Sequence, residues 1–300
     1  ETGNKLINFQ DYNAQTIGIV LLWLSAFLTL YTAYDYLVKG IDSAMNDEKM
    51  KWVMDLSEIN RREKEFHDEL HILNKRRFQN KFYKAVYNLY EDFFDILKTK
   101  VQSKDVLDYG CGIGNVAEKV INFKPKKLVA IDVSGEAIKK AKSETKSEEN
   151  KIDYRVENCE NSNLSSDAFD IIYGSGILHH LNLNKSLKEL SRILKKGGII
   201  LFAEPMATNP IINIYRKFTP KARSVDEHPL VFQDIRLIES MFKNVEVKYY
   251  GFLTLIFFPF YKSPENSKLF RFISGIDRMI LKTKYLRFLA WSVLIKAEKN

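Results

Sequence analysis

The chain has 300 residues, 45% of them hydrophobic and 28% charged, with a formal net charge of +8. This is the composition of a globular chain with room for one sizeable α/β domain plus appendages, or two small domains. Cys111 and Cys159 are the only cysteines, which excludes a disulfide scaffold and points to a reducing compartment. The basic residues alternate with acids, as in RREKEFHDELHILNKRR, so the excess charge reads as a solvated helical face and no nucleic-acid partner is expected.

Residues 17–34, IGIVLLWLSAFLTLYTAY, carry no charge and are about long enough to cross a bilayer core, with Trp23, Tyr31, Tyr34 and Tyr36 as interfacial anchors. No basic stretch precedes the run, unlike a signal peptide, whereas Lys39, Lys49 and Lys51 follow it. The positive-inside rule then places the rest of the chain in the cytoplasm, membrane-associated through this helix. A buried or interfacial helix is the alternative for so short a run. LLWLSAFLTLYTAYDYL resembles the last transmembrane helix of the phosphatidylglycerophosphate synthases, in the CDP-alcohol phosphatidyltransferase family, over residues 1–40. That family's aspartate-rich signature is absent, so the resemblance implies none of its activity. The chain opens on Glu1, and Met45, Met50 and Met54 follow the run. A fused or read-through junction there is an expectation that intact-mass measurement tests, and without residues 1–45 the protein is expected to be cytoplasmic.

From about 55 to 100 the pattern is helical. Phe66, Phe78, Phe82, Tyr83, Tyr87, Tyr90 and Phe94 recur at helical spacing and predict an aromatic face packed on the core, with a direct substrate lining as the alternative. After Ser103, strands are predicted at 105–109, 127–131, 152–156, 169–173 and 198–203, with helices near 114–122, 135–143 and 185–195. Asn184 is the expected cap of the last helix, and Gly197-Gly198 its stop. Such alternation predicts a parallel sheet covered by helices on both sides. Further strands near 245–249 and 291–297 would complete seven.

The most informative segment is VLDYGCGIGN, residues 106–115, an apolar run that delivers Asp108 into a turn built on Gly110, Gly112 and Gly114. Glycine allows positive φ and lets a ligand lie against the backbone. Gly112, Gly114 and Ala117 satisfy the dinucleotide pattern G-x-G-x-x-A, which would bring a pyrophosphate to the helix start. Asp108 would repel it. S-adenosylmethionine (SAM) has no phosphate and carries a sulfonium and an ammonium, which an aspartate attracts. Asp132 ends the second strand at about the spacing expected of an acid that accepts hydrogen bonds from the ribose hydroxyls of a nucleoside. Cys111 reads as a small residue that fits the turn.

VLDYGCGIGN, LVAIDVS, FDIIYGSGILHHL and LSRILKKGGIILFAEP follow one another in the order and at the separations of a known family. Over residues 60–300 the chain resembles the class I SAM-dependent methyltransferases, in the type-11 or ubiquinone/menaquinone-biosynthesis-like group. The resemblance implies a doubly wound, Rossmann-like, seven-stranded, mostly parallel sheet with helical cap insertions, preceded here by the hydrophobic helix. The domains are then 1–45, hydrophobic helix and flank; 46–103, helical cap; and 104–300, the methyltransferase domain, with substrate-side insertions at 206–244 and 252–288. It also implies that Asp108, Gly110 and Gly112 contact the methionine part of SAM, that Asp132 holds the ribose, and that Val133 lies beside the adenine. Asn158 stands where the family often has an aspartate that accepts from the adenine amino group, with Cys159 next to it. Ser175 and Gly176 border the methyl-donor side. Lys196 replaces the commoner proline of L-K-P-G-G.

Methyl transfer from a sulfonium asks the protein mainly for alignment and exclusion of water. A base is needed only when the acceptor loses a proton, and His179, His180 and His228 are the candidates, with Asp226 beside the last and His228 marginally preferred over His180. Asp226, Glu227 and His228 form either an acid/base site or a structural turn. Adjacent residues cannot easily point at one ion, so no metal is expected. FLTLIFFPFY at 252–261, and a helix placing Leu269, Phe272, Ile273, Ile276, Met279 and Ile280 on one face among basic residues, suit a cap helix or an anionic membrane surface. The acceptor expected is small and hydrophobic or lipid-like. A SAM-binding protein without turnover and a nicotinamide oxidoreductase are the alternatives.

Overall fold

The computed structural model describes residues 79–145, 152–219, 226–261 and 263–300, together with residues 21, 22, 25, 29, 32, 61, 62 and 65. The chain divides into two units, Glu1–Glu58 and Ile59–Asn300, and the fold set out below is that of the second. The uncharged run at 17–34 lies mostly outside the described residues. Among those described, no helix is long and apolar enough to cross a membrane.

A 3-10 segment, Gln79–Val86, leads into α1, Tyr87–Lys100. The residues α1 buries are Asn88, Leu89, Phe93 and Leu97, a stripe offset from the predicted aromatic face. Tyr83 and Tyr87 lean instead toward the C-terminal part of the chain, with ring centroids 5.8 Å from Trp291 and 6.1 Å from Phe270 respectively. Phe66 and Phe78 lie outside the described residues.

The sheet and its helices then follow in order: β1 Asp105–Tyr109, α2 Ala117–Val120, β2 Lys127–Asp132, α3 Gly135–Glu144, β3 Asp153–Val156, β4 Phe169–Ser175, α4 Leu183–Ile193, β5 Leu194–Pro205, α5 Pro210–Phe218, α6 Phe232–Met241, β6 Lys243–Tyr250, α7 Leu253–Ile256, α8 Lys268–Lys282 and β7 Ser292–Glu298. The strand order is β3-β2-β1-β4-β5-β7-β6, parallel except for β7, which runs antiparallel to both its neighbours. Each face of the sheet has its own apolar cluster. Leu107, Ile172, Leu187, Leu190 and Ile238 belong to one, and Phe93, Val106, Ala117, Leu128 and Ile138 to the other. That two-sided burial explains why the central strands read as nearly continuous apolar runs.

Two local expectations are corrected. Asn182, not Asn184, caps α4, its Oδ1 accepting from the Lys185 backbone N–H at 3.1 Å. Gly197 and Gly198 do not stop that helix, which has already ended at Ile193. They lie in an irregular stretch of β5, whose partners step from Phe169↔Leu194 to Ile171↔Ile199. Lys195, at that irregularity, reaches Asp105 at 2.8 Å and Asp170 at 3.0 Å and so ties the starts of β1 and β4 together.

The strand order reverses direction between β1 and β4, where their following helices take opposite faces. A crevice opens there, beyond the carboxyl ends of the strands. The segments after β5 and after β6 both build outward from that same end, since β6 runs parallel to β5.

Candidate active site

A cavity of about 210 Å³ opens at that end of the sheet, far more than a bound water needs and so a space for a ligand. Its floor is the glycine turn. The N–H groups of Gly110 and Cys111 both donate to Ile131 O, at 2.9 and 2.8 Å, which fastens the turn to the end of β2. Gly110 has φ +77° and no room for a side chain, because a Cβ would overlap Ile177. Gly112 has φ +52° and faces open space, so at this position the missing side chain is volume left for the ligand.

Asp108 stands at the end of β1, 2% exposed, and lines the cavity. Its Oδ2 has no hydrogen-bond partner among the described residues. Burial pushes its carboxyl up to about 8, and the charge of Asp132 adds to the effect. A desolvated acid of this kind is short of a positive charge, and a cationic group entering the cavity would supply one. Asp132 is arranged differently. Its Oδ2 accepts from the Gly112 N–H at 2.8 Å and its Oδ1 from the Ser134 N–H at 2.9 Å. Each carboxylate oxygen keeps a lone pair for a further donor, as a pair of ribose hydroxyls requires.

Val133, Asn158, Cys159 and Ser175 also line the cavity, together with Gly110 and Gly112. Asn158 Oδ1 accepts from the Glu160 N–H at 2.8 Å, leaving its amide hydrogens and one lone pair for a ligand. The backbone carbonyl of Cys159 accepts from the Tyr109 hydroxyl. Ser175 Oγ lies 3.3 Å from Tyr90 Oη, so α1 reaches the rim of the site. Gly114 is not among the lining residues. A Cβ there would run into Tyr154, which makes it a packing position. Burial, reinforced by the charges of Asp108 and Asp132, raises the Cys111 thiol well above its usual range, consistent with a small turn residue and not a nucleophile.

The acid/base candidates separate. His180 lines the cavity. His228 does not. Its backbone N–H donates to His179 O at 2.7 Å, while its half-exposed ring lies 3.8 Å from Asp234. Asp226 is also outside the cavity and takes both Arg62 donors, at 3.0 and 2.9 Å, in a bidentate ion pair. The DEHPL segment is thus a fastened turn, which removes the geometric reason for assigning Asp226 and His228 to chemistry. Among the described residues no group of His, Cys, Asp and Glu could hold a metal.

Glu204, near the end of β5, was not legible in the sequence. It is 1% exposed, its Oε1 accepts from the backbone N–H groups of Ile177 and Leu178, both at 3.0 Å, and its Oε2 lies 2.7 Å from His179 Nδ1. It shapes the turn that packs Ile177 against Gly110 and turns His180 to the cavity. An acid followed by proline at a strand end carries no periodic signal.

Comparison with known proteins agrees with this geometry. Residues 107–202 match the family model of a methyltransferase domain. An uncharacterized protein of Methanocaldococcus jannaschii is 32% identical over 154 residues, 51% of this chain and 52% of that protein. A ubiquinone biosynthesis O-methyltransferase of Pelagibacter ubique is 34% identical over 124 residues, 39% of this chain and 48% of that enzyme. The chain thus spans about half the length of these curated relatives. Among solved structures, the PH0226 protein of Pyrococcus horikoshii superposes with a TM-score of 0.50 at 16% identity, over 71% of this chain and 91% of that one, a likeness of fold. None of these is named as a CDP-alcohol phosphatidyltransferase, and the resemblance of residues 1–40 to that family has no support among them.

Proposed function

We propose that the protein is a SAM-dependent methyltransferase acting on a small, hydrophobic acceptor. The observation that carries the reading is Asp108, a buried carboxylate with an unpartnered oxygen at the floor of a ligand-sized cavity. A cation draws this carboxyl into its ionised form, whereas a pyrophosphate gains nothing from it, which disfavours a nicotinamide cofactor. SAM, when bound, supplies an electrophilic methyl group on a sulfonium.

Asp108 holds the cationic methionine end, and Gly112 leaves the backbone bare beside it. Asp132 accepts from the ribose hydroxyls, Val133 and Cys159 pack near the base, and Asn158 meets the adenine edge. Ser175 and Gly176 border the side from which the acceptor approaches. His180 is the residue placed to take a proton where the acceptor must lose one. Alignment and exclusion of water supply the rest, through the turn fixed by Glu204 and the helices built out from the sheet end.

The acceptor class rests on two supports. The Pelagibacter ubique relative is named for ubiquinone biosynthesis, and the segments inserted after β5 and β6 expose apolar side chains, Phe218, Phe260, Phe272 and Met279 among them. An N-terminal helix at 17–34 would hold the catalytic unit at the cytoplasmic face of a membrane, where such an acceptor resides. Calorimetry with SAM and with NAD tests the cofactor: binding of SAM alone is expected, and binding of NAD alone would overturn the reading. Transfer of label from methyl-labelled SAM into a total lipid and quinone extract tests turnover, and binding without any labelled product would leave a SAM-binding protein.

A further inference from the structure

The chain between β6 and β7 places α8 beside the end of the sheet where the cavity opens. Its inward face is Phe270, Ile273, Ser274, Asp277 and Leu281. At 3.6 residues per turn the remaining positions divide into two adjoining flanks. Leu269, Phe272 and Met279 form an exposed apolar flank, with Phe272 68% and Met279 74% exposed. Lys268, Arg271, Arg278 and Lys282 form an exposed basic flank, continued by Lys284 and Tyr285. The sequence pattern had joined Ile273 to the apolar face, but Ile273 packs inward, so the helix is anchored by one side and offers another.

The basic flank meets no acid from its own helix. Asp277, the only acid in α8, is buried. Its oxygens accept from the backbone N–H groups of Phe252, Leu253 and Thr254, at 3.2, 2.7 and 3.1 Å, and from the Thr254 hydroxyl at 2.9 Å. That cluster of bonds pins the apolar segment 252–261 to α8, with Ile256, Phe257 and Phe260 exposed. A second tie joins the start of α5 to the same region, as Asn209 Nδ2 donates to Leu289 O at 2.5 Å. α5 turns Ile211, Ile214 and Phe218 outward, Phe218 with 81% exposure. Arg278 leans on Asp92 at 3.4 Å, and the other basic residues of the flank have no carboxylate in ion-pair contact among the described residues.

We propose that this face docks on an anionic lipid surface, with the apolar flank of α8 and the outward side chains of α5 and 256–260 in the acyl boundary and the basic flank at the headgroups. Apolar side chains spread over separate short elements, edged by lysines and arginines of which only Arg278 has a carboxylate in ion-pair contact among the described residues, match a fluid apolar phase with negative headgroups. This rests on the hydrophobic-acceptor reading, and its test measures docking without turnover, so that either can fail alone.

The full chain carrying Phe272→Cys is labelled with an environment-sensitive fluorophore, with the unsubstituted chain labelled in parallel as the blank. It is titrated with vesicles of phosphatidylcholine alone or mixed with phosphatidylglycerol. A blue-shifted, brighter emission is expected on the mixed vesicles only, reversed by salt. Combining Lys268→Gln, Arg271→Gln and Lys282→Gln is expected to raise the lipid concentration required about a hundredfold, since each basic residue near an anionic surface contributes about fivefold. An unchanged spectrum at saturating mixed vesicles, or an equal change on neutral ones, would overturn the proposal. So would a vesicle-free shift that grows with protein concentration, which would assign the face to a second copy of the chain.

Discussion

Oε2 of Glu204 lies 2.7 Å from Nδ1 of His179, and both groups are buried. The contact joins the end of β5 to the turn after β4, and through Ile177 it reaches the glycine turn after β1. A carboxylate oxygen accepts, so Nδ1 of His179 carries the proton and donates it to that bond. His179 is thereby a structural member of the His-His pair, and His180 is the one left facing the cavity.

Glu204→Ala would leave the Ile177 and Leu178 N–H groups and His179 Nδ1 buried without their acceptor. The expected loss is about 2–3 kcal/mol, or a fall in Tm of about 5–10 °C for a unit of this size. Thermal denaturation followed by circular dichroism measures it. An unchanged Tm would mean that the turn is held by something else.

Asp108 should couple ligand binding to pH. Its carboxyl is raised to about 8 in the folded, ligand-free protein, so near neutrality it is mostly protonated, and a cationic ligand must displace that proton. SAM affinity is therefore expected to rise from pH 6 toward 8, with release of most of one proton at pH 7. Calorimetry in buffers of different ionisation enthalpy reads the proton directly. Asp108→Asn should weaken binding about 10–100-fold, the size of a lost charged hydrogen bond.

The same shift has a consequence for stability. An acid whose folded pKa lies above its unfolded value binds its proton more tightly when folded, so stability declines as pH rises from about 4 toward 8. Asp108→Asn removes that decline. The ligand-free variant should gain on the wild type in urea unfolding at pH 8 and lose that advantage at pH 4. A constant difference between the two chains across this range would contradict the assignment.

Gly110→Ala and Gly112→Ala should fail in different ways. Both positions have positive φ, which costs a non-glycine residue about 1–2 kcal/mol. Only at Gly110 would the new methyl also strike Ile177, whereas at Gly112 it would project into open space. Gly110→Ala is expected to lower Tm strongly. Gly112→Ala is expected to fold with a small loss and to bind SAM poorly. Equal SAM affinity of Gly112→Ala and the wild type would show that the ligand does not occupy this part of the cavity.

His180→Ala is expected to lower methyl transfer about a hundredfold where the acceptor must lose a proton, and His228→Ala much less, because only His180 lines the cavity. Asp226→Asn breaks the ion pair with Arg62 and should show mainly in stability. Activity that survives His180→Ala and is abolished by His228→Ala would reverse the assignment. Steady-state turnover of labelled SAM distinguishes the two.

The sequence by itself determined the elements whose information is local. Apolar runs such as VLDY and KLVAID state their strand character directly, because a strand buried on both faces needs no alternation. A turn requiring positive φ at Gly110, Gly112 and Gly114 can hardly be built from other residues, so it announced the cavity floor and with it Asp108 and Asp132. The resemblance to methyltransferases rested on those same segments in order.

Only the tertiary structure decided what depends on partners far away in the chain. Asp226 looked like a catalytic acid beside a histidine until Arg62, distant in sequence, was seen to occupy both its oxygens. Glu204 and Asp277 carried no signal because each acts by accepting backbone N–H groups of another segment, and no spacing encodes such a bond. The apolar face of α8 was misjudged by one side chain, Ile273, because periodicity gives the angle between residues and not which angle meets the core. Chemistry fixed by backbone geometry is written locally, and chemistry fixed by which surfaces touch is settled only when the chain has folded.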